Sequence, residues 1–182
     1  MISPIMELQS FKIISLFAMS PGSRFLRKEI QEMTKLTNLS LDRALRRLLN
    51  SNIIKKEKRL YSLNFSNPDS EMFVEIAKKE YIKLKKIPFN VYIILLEISS
   101  SLADSDVDLF LFGSYSKLVY KKNSDLDIAI ISDEKPSIDK LVDRLTKRHG
   151  IMIEIHKFSR DFYKNKDDPL VKDITKNGVR LV

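Results

Sequence analysis

The spacing of apolar side chains changes once along the chain, near residue 105, and this change divides the sequence into two parts. Over most of residues 4–102 the apolar positions recur three and four residues apart, which is typical of helices buried on one face. From residue 106 onward, short apolar runs are separated by polar segments, which indicates strands joined by helices. The pattern therefore predicts a mainly helical part followed by an α/β or α+β part with a small mixed sheet.

The first part is predicted to contain five helices and one hairpin. The helices are expected over residues 4–19, 26–33, 41–51, 70–87 and 89–102. Ser40 is predicted to cap the third helix, and Pro88 is predicted to end the fourth. Between these two helices, IIKKEKRLYSLNF is expected to form two short strands around a basic turn at Lys56–Arg59.

The order helix, helix, turn, helix and basic hairpin resembles the winged helix-turn-helix family, and RKEIQEMTKLTNLSLDRALRRLLNSNIIKKEKRLYSLN carries the resemblance. It implies that Ser40–Ser51 is a recognition helix whose exposed side chains reach the major groove of double-stranded DNA, namely Arg43, Arg46 and Arg47. The hairpin would contact phosphates through Lys55, Lys56, Lys58 and Arg59. The alternative is a winged helix that serves protein contacts or dimerisation.

The distribution of charge separates the same two parts. The formal net charge is +8, of which residues 1–70 carry +6 (12 Lys and Arg against 6 Asp and Glu) and residues 71–88 carry +2 (5 against 3). Residues 89–182 hold 15 of each sign and are neutral. This asymmetry favours a nucleic-acid-binding module joined to a neutral one. A solvated, lysine-rich surface is the alternative.

Composition excludes several kinds of site. The chain has no cysteine, which excludes disulfide bonds and a cysteine nucleophile, and its two histidines are too few for a histidine-rich zinc site. Glu7 and Gln9 interrupt the opening apolar residues before a signal peptide can form, and no apolar run reaches the roughly 18 residues that span a membrane. We therefore expect a cytoplasmic protein without a membrane partner, and the sequence leaves its oligomeric state open.

The second part is predicted to hold three or four strands with flanking helices. Strands are expected at DVDLFLFGS, SDLDIAIIS, IMIEIHKF and the closing VRLV, and helices at YSKLVYK, SIDKLVDRLTKRHG, SRDFYKNKD and DPLVKDITKNG. The expected organisation is a winged helix over 1–66, a linker helix over 67–88 and an α+β domain over 89–182.

Three acids are predicted to converge at this sheet. Asp125 and Asp127 lie two residues apart in one predicted strand, so their side chains share a face and repel each other unless a cation lies between them. Glu154 is predicted to lie on the face opposite the isoleucines of its own strand, and it joins the aspartates if the two strands are neighbours. Carboxylate oxygens suit Mg²⁺, and two metal ions can share such carboxylates.

A predicted phosphate-binding turn lies opposite these acids. Gly113 follows a strand and lets a phosphate approach the backbone, Ser114 adds a hydroxyl, and Lys117 adds a positive charge. Phosphate donors on one side and carboxylates on the other indicate a nucleotide–metal site. His156 shares the predicted face of Glu154, but a lone strand histidine is more often a packed or surface residue, so it is left outside the predicted site.

The spacing from Phe112-Gly113-Ser114 through ten residues to Asp125-Leu126-Asp127, with a third acid in a later strand, resembles the DNA polymerase β-like nucleotidyltransferase superfamily. The tail of the chain looks most like that of its minimal members. The resemblance covers about residues 89–182. It implies that Gly113 and Ser114 hold a nucleoside triphosphate, that Asp125 and Asp127 bind two Mg²⁺ ions, and that Glu154 completes the metal site and helps to activate the attacking hydroxyl.

The chain departs from the minimal members at two positions of the turn. These members usually have alanine where this chain has Ser116 and glycine where it has Leu118. Leucine in place of this glycine affects the backbone conformation expected for the turn, and therefore the catalytic activity expected of the site.

Two functions follow from these expectations. In the first, the protein transfers a nucleoside monophosphate, AMP from ATP being the expected case, to a hydroxyl on a macromolecular acceptor. The short chain favours such an acceptor, and the resemblance implies a protein partner such as a HEPN-type toxin, with the present chain as an antitoxin. In the second, the protein is a DNA-binding transcriptional regulator whose nucleotidyltransferase domain senses a nucleotide or is inactive.

Overall fold

The chain folds as two units, Met1–Lys85 and Lys86–Val182. The structure is a computed structural model that describes residues 7–82, 87–134 and 136–181. Parts of three predicted elements lie outside the described residues, namely 4–6, 83–86 and Val182. Within the described ranges, no helix combines the length and the apolar character that a membrane crossing requires.

The first unit combines helices with a small antiparallel sheet. Its elements are α1 (Leu8–Met19), β1 (Phe25–Leu26), α2 (Arg27–Thr34), α3 (Asn38–Asn50), β2 (Ile54–Glu57), β3 (Leu60–Leu63) and α4 (Pro68–Ile82). The strands pair in the order β1-β3-β2, so β1 adds a third strand to the predicted hairpin. The core forms around α1, which contacts α2, α3 and α4 and is buried from Ser10 to Ala18.

The turn between α2 and α3 is shorter than the sequence predicts. Lys35 ends α2 with a left-handed φ of 55°, and Thr37 then caps α3, its Oγ1 accepting a hydrogen bond from the Ser40 backbone N–H at 3.3 Å. The prediction of Ser40 as the N-cap is therefore wrong, because the sharp turn at Lys35 lets the helix begin at Asn38. Arg27 of α2 fixes the turn by donating to the Asn38 side chain at 3.1 Å.

The second unit is built on a four-stranded mixed sheet. Its elements are α5 (Phe89–Ser101), β4 (Asp108–Leu111), α6 (Gly113–Ser116), β5 (Leu126–Ile131), α7 (Asp139–His149), β6 (Ile153–Phe158), a 3₁₀ helix (Arg160–Lys164), α8 (Pro169–Asn177) and β7 (Val179–Arg180). The strand order is β6-β5-β4-β7, with β5 and β6 parallel and the other two pairs antiparallel. The unit is α+β, with a mixed sheet of the predicted size.

Both faces of β5 are buried, which fixes the direction of every side chain along it. One face carries Leu126, Ile128 and Ile130, each at most 1% exposed. The other face joins an apolar cluster with the 3₁₀ helix and α8, formed by Phe112, Ala129, Ile131, Phe162, Val171 and Ile174. Because β5 and β6 are parallel, a crossover must join them, and α7 supplies it. A polar residue on β5 can therefore remain only where the strand begins.

A buried carboxylate holds the opposite end of the sheet together. Asp108 begins β4, where it is 8% exposed and accepts hydrogen bonds from Tyr163 Oη at 2.8 Å and from Arg160 Nη1 at 3.4 Å. It also accepts from Arg180 of β7. Burial of the Tyr163 hydroxyl, and then its hydrogen bond to Asp108, raise the pKa of Tyr163 to about 12.

We expect Tyr163→Phe to lower the free energy of unfolding by about 1 kcal/mol at neutral pH, the size of one partly exposed hydrogen bond to a charged acceptor. The folded chain keeps the phenolic proton up to about pH 12, whereas the unfolded chain loses it near pH 10. The stability that the hydroxyl contributes is therefore complete below pH 10 and is lost as the pH rises towards 12. Urea unfolding of both proteins across this range measures it. A difference between the two proteins that stays constant up to pH 12 would contradict the assignment.

Candidate active site

Two acids and a histidine meet where β5 and β6 begin. In the parallel register, Asp127 of β5 is opposite Glu154 of β6, and opposite residues of neighbouring strands point to the same face. His156 lies two residues beyond Glu154 and shares that face. One ligand atom from each of the three side chains lies within 4.8 Å of the others. The register thus forms a compact donor set from residues that are far apart in sequence.

Gly113, which follows β4, lies directly beside the Asp127 carboxylate of this donor set. Its φ of 69° is left-handed, and a Cβ atom built on it would overlap the carboxylate of Asp127. The backbone N–H of the preceding Phe112 donates to the Asp127 carbonyl at 3.1 Å, which holds the two segments side by side. A glycine is required here for two independent reasons, the backbone angle and the space taken by Asp127.

The helix that begins at Gly113 is short, and a hydrogen-bonded turn follows it. The prediction of a helix over YSKLVYK is wrong, because α6 ends at Ser116 and the chain then turns. Leu118 lies in the left-handed region with a φ of 59°, a conformation that glycine adopts at lower cost. The backbone N–H of Val119 donates to the Ser114 carbonyl at 3.0 Å. Leu118 thus holds the turn in a backbone conformation that is usually taken by glycine.

Two residues predicted for the site, Lys117 and Asp125, lie outside the donor set of Asp127, Glu154 and His156. The Lys117 ammonium forms a salt bridge with Asp173 of α8, at 2.7 Å between Nζ and Oδ1. Asp125 precedes β5, is exposed, and is not part of the group of three donors. Its charge nevertheless acts on Asp127, as the pKa of Asp127 shows.

The electrostatics of the site disfavour a negative charge on Asp127. Burial, and next the charge of Glu154, raise the pKa of the Asp127 carboxyl above its ordinary value; His156 opposes this effect, and Asp125 adds to it. The Asp127 side chain is 23% exposed and the Glu154 side chain 51% exposed. A cation held between them would relieve the repulsion, which is the usual property of a carboxylate metal site.

The donor set fits a divalent metal ion on structural grounds. It offers two carboxylates and one imidazole, and the buried Nε2 of His156 has no hydrogen-bond partner among the described residues. A buried polar atom without a partner is unfavourable unless a ligand satisfies it. The sequence leaves His156 outside the site, although it shares the predicted face of Glu154, because a lone strand histidine is more often a packed or surface residue. The closeness of its buried Nε2 to the two carboxylates, which the sequence does not show, adds it to the donor set.

The residues predicted to bind DNA lie on α3 and on the β2–β3 hairpin of the first unit. Arg43 and Arg46 are exposed on α3, whereas Arg47 is half-buried and forms an ion pair with Glu7. Lys56 lies over the ring of Tyr61, with Nζ 5.3 Å from the ring centre. Lys58 and Arg59 form the exposed turn of the hairpin.

The comparisons with known proteins bear on the second unit only. Residues 93–181 match the model of a protein family described as "Nucleotidyltransferase domain". This range covers most of the second unit and just under half of the chain. No curated protein and no solved structure gave a significant match. The second unit is therefore similar to nucleotidyltransferase domains, and nucleotidyl transfer is the general activity that the match supports.

Gly113→Ala and Gly150→Ala form a matched pair, because the two glycines have left-handed φ values of 69° and 66°. Nothing lies within 4 Å of a Cβ on Gly150, so alanine there should cost only the backbone strain of about 1–2 kcal/mol. Alanine at position 113 must also displace Asp127, which should add about 1–3 kcal/mol. Urea unfolding of both variants measures the difference in the free energy of unfolding. Equal losses in the two variants would show that the position of the Asp127 carboxylate does not require a glycine at position 113.

Proposed function

We propose that the protein transfers a nucleoside monophosphate, AMP from ATP being the expected case, to a hydroxyl group of a macromolecular acceptor. The observation that carries this proposal is the β5–β6 register, which brings Asp127 and Glu154 together directly beside the backbone of Gly113. Acidic side chains and a glycine turn are the two parts that a nucleotide–metal site needs. The family match of residues 93–181 supports the same class of reaction.

In the proposed reaction, the acceptor oxygen attacks the α-phosphorus of the triphosphate. A bond forms between that oxygen and the α-phosphorus, the bond from the α-phosphorus to the oxygen bridging to the β-phosphate breaks, and pyrophosphate leaves with the bond electrons. Glu154 takes the proton of the attacking hydroxyl. Asp125, Asp127 and Glu154 would hold two Mg²⁺ ions, and such ions would supply stabilisation of the negative charge on the phosphate oxygens.

The proposed triphosphate site is the Gly113–Ser114 turn. At Gly113 the Asp127 carboxylate takes the space of a side chain, so the glycine presents only its backbone, and Ser114 can donate its hydroxyl to a phosphate. The Lys117 ammonium is already paired with Asp173. It can therefore bind a phosphate only if it leaves Asp173 or contacts both groups at once. Nucleotide binding is thus proposed to weaken the Lys117–Asp173 contact.

Asp127→Asn tests the catalytic proposal. With α-labelled ATP, Mg²⁺ and a cell extract as the source of acceptor, we expect label transfer to fall by at least about 100-fold, because one donor of the site loses its charge. Without metal, the variant should be at least as heat-stable as the wild type, since the raised pKa of Asp127 shows that its charge is disfavoured there.

Asp104→Asn is the matched control, because Asp104 is an exposed acid outside the donor set. It should leave label transfer unchanged. Full transfer by Asp127→Asn would exclude the proposed catalytic role. A wild-type protein that binds ATP but labels no macromolecule would favour the second function, a regulator whose nucleotidyltransferase domain senses nucleotide or is inactive.

The acceptor proposed first is a protein, such as a HEPN-type toxin, with this chain acting as its antitoxin. The supporting argument is the resemblance of residues 89–182 to minimal nucleotidyltransferases. Digesting the labelled product with protease or with ribonuclease distinguishes a protein acceptor from RNA. Label that survives protease and is released by ribonuclease would exclude the toxin–antitoxin proposal.

We further propose that residues 1–66 form a winged helix-turn-helix that binds double-stranded DNA. The helix expected as a linker over residues 67–88 is α4, which packs on α1 within the same unit. Two observations support the DNA-binding proposal. α2 and α3 are joined by a turn of three residues, and Arg43 and Arg46 of α3 are exposed, as are Lys58 and Arg59 of the β2–β3 turn. The excess positive charge of the chain lies in the same part.

Salt titrations of the 182-residue chain on random and operator duplexes test DNA binding. Arg59→Ala should weaken binding to all sequences and reduce the log–log salt slope by about one, because one phosphate contact is lost. Arg43→Ala should instead reduce discrimination between sites by about 1–3 kcal/mol.

Arg144→Ala is the control for these two variants, because Arg144 is an exposed arginine on α7 of the second unit. It should change neither the slope nor the discrimination. If it weakens binding as much as Arg59→Ala, binding depends on total charge alone. If the wild type does not bind at about 50 mM salt, where phosphate contacts are strongest, the first unit is a protein-contact module.

A further inference from the structure

His156 offers a donor atom that the proposed chemistry does not use. Its Nε2 is buried and, within the described ranges, lacks a hydrogen-bond partner. The same atom lies 3.9 Å from Asp127 Oδ1 and 3.7 Å from Glu154 Oε2. Both distances are too long for hydrogen bonds, and the two contacts are ion pairs only when the imidazole is protonated.

These separations are close to those between two ligands of one metal ion. With metal–ligand bonds of about 2.1 Å, neighbouring ligand atoms lie roughly 3.0–3.4 Å apart, and small side-chain rotations close the remaining gap. The ring of Phe112 packs against the imidazole in an edge-on arrangement, with 5.1 Å between ring centres, which restrains its orientation. The nitrogen is therefore held at the edge of the donor set.

We propose that His156 is a metal ligand of this site, together with Asp127 and Glu154, and that it makes the site prefer a first-row transition-metal dication over Mg²⁺. Mg²⁺ takes oxygen ligands almost exclusively and keeps much of its water, whereas the transition dications accept imidazole nitrogen readily. The inference goes beyond the proposed function, because it concerns which ion binds and holds whether or not transfer follows.

The preference follows from the chemistry of the third donor. A site made only of carboxylates selects hard cations by charge, and a single imidazole shifts that selection towards ions of the Mn²⁺ to Zn²⁺ series. The shift is expected in binding itself, without nucleotide or acceptor. Mn²⁺ is a suitable probe because its unpaired electrons report directly on a coordinated nitrogen.

The test uses the 182-residue chain without nucleotide. Pulsed electron paramagnetic resonance of the Mn²⁺-loaded protein should show coupling to one ¹⁴N nucleus, and calorimetry should show Mn²⁺ binding at least about tenfold tighter than Mg²⁺. His156→Gln should remove the ¹⁴N coupling and weaken Mn²⁺ binding by about tenfold or more, with Mg²⁺ affinity changed by less than about threefold.

Two further variants separate ligation from structure. His149→Gln alters the other histidine of the chain and should keep the ¹⁴N coupling. His156→Phe keeps an aromatic ring against Phe112 but has no nitrogen, so it should lose the Mn²⁺ preference as His156→Gln does.

The absence of ¹⁴N coupling in the wild type would overturn the proposal. So would an equal loss of Mn²⁺ and Mg²⁺ affinity in both His156 variants, because it would indicate a structural role. A wild type that binds Mn²⁺ through nitrogen but transfers no nucleotide would support this inference while contradicting the proposed function, so the two failures are distinguishable.

Discussion

The parallel pairing of β5 with β6 is the constraint on which the second unit depends. This register places Asp127 opposite Glu154, requires α7 as the crossover, and directs the apolar residues of β5 into the two layers that flank the sheet. A slip of one residue would turn Glu154 towards the apolar layer and an isoleucine towards the donor set. The packing that stabilises the sheet therefore also positions the candidate site, and the two cannot be altered separately.

The site is assembled at a cost to the stability of the fold. Its acids repel each other, Asp127 is partly buried, and the His156 nitrogen lacks a hydrogen-bond partner among the described residues. Gly113 contributes no side-chain contact and leaves space that Asp127 occupies. At the opposite end of the same sheet, Asp108 shows the contrasting arrangement, in which arginines and a tyrosine satisfy a buried carboxylate. The satisfied cluster is structural, whereas unsatisfied groups are typical of sites that bind a ligand.

Much of the fold follows from residue spacing, because burial imposes a period on each element. The strands of the second unit, the crossover helix and the β2–β3 hairpin are predicted in this way. The convergence of Asp127 with Glu154 depends on which strands are neighbours, which spacing does not determine. His156 carries no local signal that separates a ligand from a packed residue. Spacing does not show the cap at Thr37 or the end of α6, because left-handed residues, Lys35 and Leu118, make the local turns there. Strand β1 exists only through its pairing with β3, which local preference does not show.

Leu118 has a consequence for the motion of the turn beside the site. Its left-handed backbone costs about 1–2 kcal/mol relative to glycine, and this cost is present only while the turn is formed. The stacked rings of Tyr115 and Tyr120 and the Lys117–Asp173 contact hold the turn closed. Local opening at this point therefore needs less free energy than it would with glycine in place of Leu118. Backbone strain at Leu118 therefore makes the rim of the candidate site easier to open than the packed sheet beside it.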